Sequence, residues 1–220
     1  MTTTTISTIP LSGGLVIQPL LDLALAQTNG QGAYVYRLEP GEPEARLAAW
    51  AGLPLDRQNL RASRKHLERS AAIVVPERAS SDSRFQHLPE FRGQRFEAVV
   101  SIPLQDGGEV VGIANFCRTR PGALPARDLS FLLSLGLPLG ALLNAEAVRE
   151  QLARTTQLLA DRKLLARAKG VLQDLGWSEE ESYLHIRRLS RQNRTPMREI
   201  ARQVIEAGES QALQGAAYGD

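Results

Sequence analysis

The segment from Arg162 to Ala207 limits the fold most tightly, because glycine, serine and proline divide it into three short helices. In the first, Leu165, Ala168, Leu172 and Leu175 recur at steps of three and four and share a face. Gly176 stops that helix, since glycine enters the left-handed conformation of a helix end without steric cost. Ser178 opens the second helix, and Glu181 three residues on can reach back to complete a capping box. Glu179 and Glu180 suit the positive end of the helix dipole. Tyr183, Ile186 and Leu189 (or Ser190) read as its buried stripe. Asn193-Arg194-Thr195 breaks the run; Thr195 caps the third helix and Pro196 takes its first position, where a missing N–H costs nothing. Met197, Ile200, Ala201, Val204 and Ile205 give the strongest amphipathic repeat in the chain.

Arg187, Arg188, Arg191, Arg194, Arg198 and Arg202 lie in this segment, opposed in sequence between 187 and 202 only by Glu199. The whole chain is mildly basic, with net charge +2 and a pI near 8.9. Affinity for a polyanion must therefore come from this local cluster, and nucleic acid is the simplest such partner. Four sequence blocks carry a resemblance. Ala168-Lys169-Gly170 is followed by a Gly-x-Ser-Glu-Glu turn, by Tyr-x-x-Ile-Arg-Arg-x-Ser from Tyr183, and by Met-Arg-Glu-Ile-Ala from Met197. In this order they resemble the ANTAR domain, over about fifty residues without a gap. The resemblance implies a three-helix RNA-binding output module of bacterial antitermination regulators. Such modules bind tandem short stem-loops as dimers, so that a competing terminator hairpin cannot form. Lys169, Gly170, Tyr183, Arg187 and Ser190 fall on the positions that define the family surface. Ser182 stands where the family usually has alanine, and Gln173 where methionine is common.

The same residues have readings of their own. Lys169 is either a solvated helix lysine or a polyanion contact. Gly170 costs about 1 kcal/mol in a helix interior, which close approach of a partner would offset. Tyr183 is either core or a stacking platform. Arg187 and Arg191, one turn apart, repel each other mildly, and a phosphate backbone would relieve that. Arginine combines planar stacking with forked donors, as loop recognition requires. Arg188, Arg194 and Arg198 extend this candidate RNA-binding surface.

Upstream, Ala145, Val148, Leu152, Thr155 and Leu159 alternate steps of three and four, a heptad seam weakened by alanine and threonine. Leu158 and Leu165 add a second stripe. A parallel coiled coil joining two helical units fits this pattern; a long helix packed on its own domain is the alternative.

The first 145 residues have another texture. Short alternating or fully apolar runs at 33–38, 46–51, 71–75, 97–104 and 109–118 predict strands. Helices are predicted over 15–27, 60–69 and 126–145. Asp106-Gly107-Gly108 is a hairpin signature, Pro103 suits a strand end or edge, and Gly112 suits close packing. Ser81-Asp82-Ser83-Arg84-Phe85, Val99 to Leu104, and Glu109 to Asn115 are similar to the GAF domain, with serine at 83 where that family has proline. The resemblance covers roughly 14–145 and implies a small-molecule-binding, dimerising sensor fold. It places Phe85, Phe91, Phe96, Ser101 and Asn115 as candidate pocket residues, although the phenylalanines equally suit a core. Cys117 is the only cysteine, and His66, His87 and His185 lack metal-ligand spacing. No residue pattern asks for a catalytic centre, a metal or a cofactor, and the resemblance allows an unknown small-molecule ligand.

The expected fold class is α+β: a loose N-terminus (1–13), a GAF-like sheet-and-helix sensor (14–145), a coiled-coil linker helix (146–161), a three-helix ANTAR bundle (162–207) and a loose tail (208–220). No signal peptide and no membrane-spanning apolar run is read from the sequence. The expected protein is a cytoplasmic, non-enzymatic homodimer that binds RNA with paired stem-loops. It would be controlled by a small molecule or an upstream signalling protein. A DNA-binding transcription factor and a dimeric signalling adaptor without nucleic acid are the alternatives.

Overall fold

A computed structural model describes residues 17–53, 61–67 and 70–217, with 209–217 as backbone only. The expected loose N-terminus, 1–13, lies outside the described residues. The chain divides into two units between Val148 and Arg149. The first contains α1 (Gln18–Thr28), β1 (Gly32–Arg37), β2 (Glu44–Gly52), β3 (Arg61–Ser63), α2 (Arg64–Leu67) and β4 (Ile73–Val75). Two single 3-10 turns follow, Ala79–Ser81 and Pro89–Phe91, then β5 (Ala98–Asp106), β6 (Glu109–Arg118), α3 (Ala126–Ser134) and the start of α4 (Gly136–Asp174).

The six strands form one antiparallel sheet in the order β3-β2-β1-β6-β5-β4. Both faces are covered, which explains why its central strands read as nearly continuous apolar runs rather than clean alternations. Ala33 and Val35 of β1, Ile102 and Leu104 of β5, and Ala114 and Phe116 of β6 point to α1, α3 and α4. Their neighbours Tyr34, Tyr36, Val99, Ile113 and Cys117 point to the other face, under Phe85, Leu88, Phe91 and Phe96. Asp106 pairs with Glu109, leaving Gly107-Gly108 as a two-residue loop with both φ angles positive, +59° and +89°. Pro103 sits in β5 beyond the reach of β4, which pairs only with Val99 to Ser101, so its missing N–H falls on a locally open edge. Gly112 lets α4 lie close to the sheet: a Cβ there would stand 2.5 Å from both Leu143 Cδ2 and the Tyr36 carbonyl.

Three expectations need correction in this unit. The helix predicted over 60–69 is a short strand followed by one turn, β3 and α2, because Ala62 and Leu67 are drawn into the sheet's core. The helix predicted over 126–145 is two helices, α3 ending at Ser134 and α4 running on to Asp174. Residues 126–174 also form a stretch long and apolar enough, by length and composition, to cross a membrane. Its leucines 132, 135, 139 and 143 are buried against the sheet, as in the core helix of a sheet domain.

The second unit comprises the rest of α4, α5 (Glu179–Asn193) and α6 (Met197–Ala217). Its core is Ala168, Leu172, Ile186, Ile200, Ala201 and Ile205, with Leu164, Leu165, Val171, Leu189, Met197 and Val204 around it. Gly176, at φ +90°, closes α4: its N–H donates to the Gln173 carbonyl and the Trp177 N–H to the Leu172 carbonyl, a Schellman pair. The capping box is complete, with Glu181 N–H on Ser178 Oγ at 3.2 Å and Glu181 Oε2 on the Ser178 N–H at 2.8 Å. Arg194 takes the left-handed conformation that ends α5, and the Pro196 carbonyl accepts the Glu199 N–H at 2.9 Å to start the next helix.

The structure shifts the faces of two helices. Ser182, not Tyr183, joins Ile186 and Leu189 on the buried side of α5. The buried Ser182 hydroxyl is satisfied by donating to the Ser178 carbonyl at 2.8 Å. Leu175 is exposed, because Val171 and Leu172 already complete the packed face of α4. Past Ala207, where a loose tail is expected, α6 continues to Ala217. Gly208 is seated directly on Val171, leaving no room for a side chain.

Candidate nucleic-acid interface

At 3.6 residues per turn, Glu179, Tyr183, Arg187, Ser190 and Arg191 occupy one side of α5, within about 120° of arc, and Arg194 follows as its left-handed C-cap. Tyr183 is 38% exposed, and the three arginines are exposed. Among the described residues no carboxylate lies within ion-pair distance of Arg187, Arg191 or Arg194. Lys169, on α4, joins this stripe at its start: its Nζ lies 2.5 Å from Glu179 Oε1, one turn below Tyr183. That bond holds the Glu179 carboxyl below its usual 4.5. Gly170 faces open space, with nothing within 4 Å of where a Cβ would be. Close packing inside the unit therefore does not require a glycine at this position. Ser190 instead serves the turn: its hydroxyl donates to the Thr195 carbonyl at 2.6 Å and fixes the α5–α6 connection. Arg198 is exposed on the first turn of α6.

Arg188 does not join the stripe. It points to a neighbouring side of α5, where Trp177, Glu181, Leu184 and His185 line a groove with it. The seam of α4, Ala145, Val148, Leu152, Thr155 and Leu159, is exposed throughout, as is Leu158. Leu165 of the second stripe packs into the helical core instead.

In the sheet unit, Phe85, Phe91 and Phe96 are buried and pack on one another, with centroids 5.6 Å and 5.5 Å apart along the series. Ser101 and Asn115 are direct cross-strand partners on the same face. The Ser101 hydroxyl donates to Asn115 Oδ1 at 2.6 Å, and Asn115 Nδ2 donates to Glu90 Oε1 at 2.7 Å. The Tyr36 hydroxyl donates to the other Glu90 oxygen. Burial, and then the Glu90 carboxylate, push the Tyr36 phenol well above its usual range and the Cys117 thiol likewise, which makes that thiol a poor nucleophile.

A family profile of the GAF domain matches residues 16–144, and one of the ANTAR domain matches residues 153–205. The chain belongs to the GAF family and carries an ANTAR domain behind it. Solved structures agree on the first part. One is a domain of a putative two-component sensor histidine kinase protein from Sinorhizobium meliloti 1021, with 19% identity and TM-score 0.50 over 64% of this chain and 95% of that one. Another is the GAF domain of an Acinetobacter phosphoenolpyruvate-protein phosphotransferase, with 17% identity and TM-score 0.50 over 64% and 87%. A third is the GAF domain of a phosphoenolpyruvate-protein phosphotransferase from Coxiella burnetii, with 16% identity and TM-score 0.50 over 60% and 82%. At these identities the likeness concerns the fold. No curated protein matches the chain.

The GAF–ANTAR order marks a sensor and regulator rather than an enzyme. Within the ANTAR domain the structure brings together Lys169, Tyr183, Arg187, Arg191 and Arg194, and leaves Arg188 apart. Three features escaped the sequence reading. Glu90, fully buried at the centre of the GAF polar network, sits in the short Pro89–Phe91 turn, where a lone glutamate reads as surface. The His66 and His87 rings, far apart in sequence, lie 5.1 Å apart. Trp177 and His185 meet at 4.8 Å. Only the last pair had a signal, since a tryptophan directly after a helix-stopping glycine is held by the turn itself.

Proposed function

We propose that this GAF–ANTAR protein is a cytoplasmic, non-enzymatic RNA-binding regulator. It acts as a homodimer that holds tandem stem-loops and so prevents a terminator hairpin from forming. One observation carries the reading: the Tyr183–Arg194 stripe of α5, begun by Lys169 of α4, is a solvent-facing cationic strip with an aromatic ring in it and no carboxylate beyond Glu179. Phosphates can replace Glu179 on Lys169, since a solvent-facing pair is weak. They also remove the repulsion between Arg187 and Arg191. Dimerisation would run along the exposed Val148, Leu152 and Leu159 seam, doubling the strip to match two stem-loops. Control would come from a small molecule or partner acting on the GAF sheet, onto which α4 packs through Leu139 and Leu143. The candidate pocket residues Phe85, Phe91, Phe96, Ser101 and Asn115 surround Glu90 on the opposite face, where a ligand would have to displace internal bonds.

The test compares a two-stem-loop RNA with duplex DNA of equal length at equal salt. The reading predicts preferential binding of the RNA, lost in the double variant Lys169→Ala/Arg187→Ala. Equal or stronger binding of the DNA would point to a major-groove reader. Unchanged RNA retention in the variant would point to an adaptor that docks an acidic protein.

A further inference from the structure

The groove beside the arginine strip has a different chemistry. Trp177 and Leu184 are 40% and 49% exposed within it. The His185 ring meets the indole nearly edge-on, with centroids 4.8 Å apart and planes at 63°. Arg188 Nη2 lies 3.3 Å from His185 Nδ1. The backbone that carries the indole is fixed, because the Trp177 backbone N–H closes the Schellman pair on the Leu172 carbonyl at 3.2 Å. The groove's carboxylate, Glu181, is turned into the capping box, where it accepts from the Ser178 N–H and hydroxyl at 2.8 and 2.6 Å. The lining therefore offers an aromatic surface, an apolar wall and a planar forked donor, with a carboxylate already engaged. A phosphate gains little here compared with the adjoining strip. A flat ring with acceptors on its edge gains from every wall.

We propose that this groove seats an unstacked nucleobase from a stem-loop, with Trp177 as the stacking surface and Arg188 donating to the base edge. The proposal rests on the RNA-binding reading and deepens it: the strip holds backbone, and the groove reads the loop. The two are continuous. Leu184 is one turn from both Arg187 and Arg188, and Arg188 is one turn from Arg191. An RNA whose phosphates run along Arg187 and Arg191 thus carries its loop bases past the groove mouth.

The chain has two tryptophans, Trp50 and Trp177, so full-length Trp50→Phe protein makes Trp177 the sole indole. Titration with a synthetic two-stem-loop RNA should quench its emission. The same RNA with abasic loop positions should bind without quenching. Trp177→Ala should weaken binding by about ten-fold. Its salt slope should be unchanged, since the indole carries no charge, and Trp177→Phe should recover most of the affinity. Arg188→Lys, which keeps charge but not the fork, should also weaken binding. RNA bound at full affinity by Trp177→Ala, with indole emission indifferent to RNA in the Trp50→Phe protein, overturns the groove and leaves the strip standing. Loss of self-association in Trp177→Ala, seen by sedimentation, also overturns it and makes the groove a protein contact. Failure of the unsubstituted protein to bind any stem-loop removes the RNA-binding reading itself.

Discussion

The GAF sheet and the ANTAR helices treat their polar residues in opposite ways. On the sheet, Ser101, Asn115, Glu90 and Tyr36 bond one another inside the core. On α5, Arg187, Arg191 and Arg194 face water without a carboxylate among the described residues. A buried network holds a domain in one packing, because each member left unpaired is costly. An exposed row of like charges costs the fold a little and is left open to polyanions outside it. Polar groups in the first unit should therefore register in stability, and those in the second in binding.

The largest effect expected on this contrast is at Glu90. Glu90→Ala strands the Tyr36 hydroxyl and the Asn115 amide, and should destabilise the GAF domain by about 3 kcal/mol in urea denaturation followed by circular dichroism. Arg187→Ala in the same assay should change stability by less than about 0.5 kcal/mol. Equal losses from the two would break the contrast.

The glycines sharpen it. Gly112→Ala pushes a methyl into Leu143 and the Tyr36 carbonyl, and should cost about 1–3 kcal/mol. Gly170→Ala meets nothing, and should stabilise its helix by up to about 1 kcal/mol while weakening RNA binding. A Gly170→Ala protein that binds RNA as well as before would count against close approach of a partner at that glycine.

Tyr183 tests the helix phase. Tyr183→Ala should cost less than about 1 kcal/mol in stability yet lower RNA affinity, whereas a core tyrosine would cost about 3 kcal/mol or more. Smallest of all is a pH effect. The Lys169 bond holds Glu179, and the Ser178 cap holds Glu181, below the ordinary value of 4.5. A carboxyl depressed in the folded state contributes stability that is complete above its unfolded value and fades as pH falls through its lowered one. Helical-unit melts by circular dichroism should lose stability on acidification below about pH 4.5, and Glu181→Gln should blunt that loss.

Local punctuation was legible in the sequence, and helix phase was not. Gly176, the Ser178–Glu181 box, the Gly107-Gly108 hairpin and the span of β6 follow from short-range backbone rules that tertiary packing did not override. Tyr183 is the more hydrophobic of two neighbouring residues, yet helix phase turns Ser182 inward and leaves Tyr183 exposed. The helix predicted at 60–69 failed because Ala62 pairs in the sheet, a long-range preference invisible in a short window. The candidate RNA-binding residues follow from family landmarks (Lys169, Gly170, Tyr183, Arg187, Ser190) and from the arginine cluster around them, and the structure separates them into strip (Tyr183, Arg187, Arg191, Arg194), turn (Ser190) and groove (Arg188). Glu90 carried no local signal, since its burial depends on Tyr36 and Asn115, far away in sequence.

The salt dependence of stem-loop binding is the most direct measurement, made with the full chain and with Arg187→Ala/Arg191→Ala. If the strip is the RNA seat, log affinity falls steeply and linearly with log salt, and the double substitution flattens that line by roughly 0.7–0.9 for each phosphate no longer neutralised. Parallel lines for the two proteins, or a flat line for the unsubstituted chain, would contradict it.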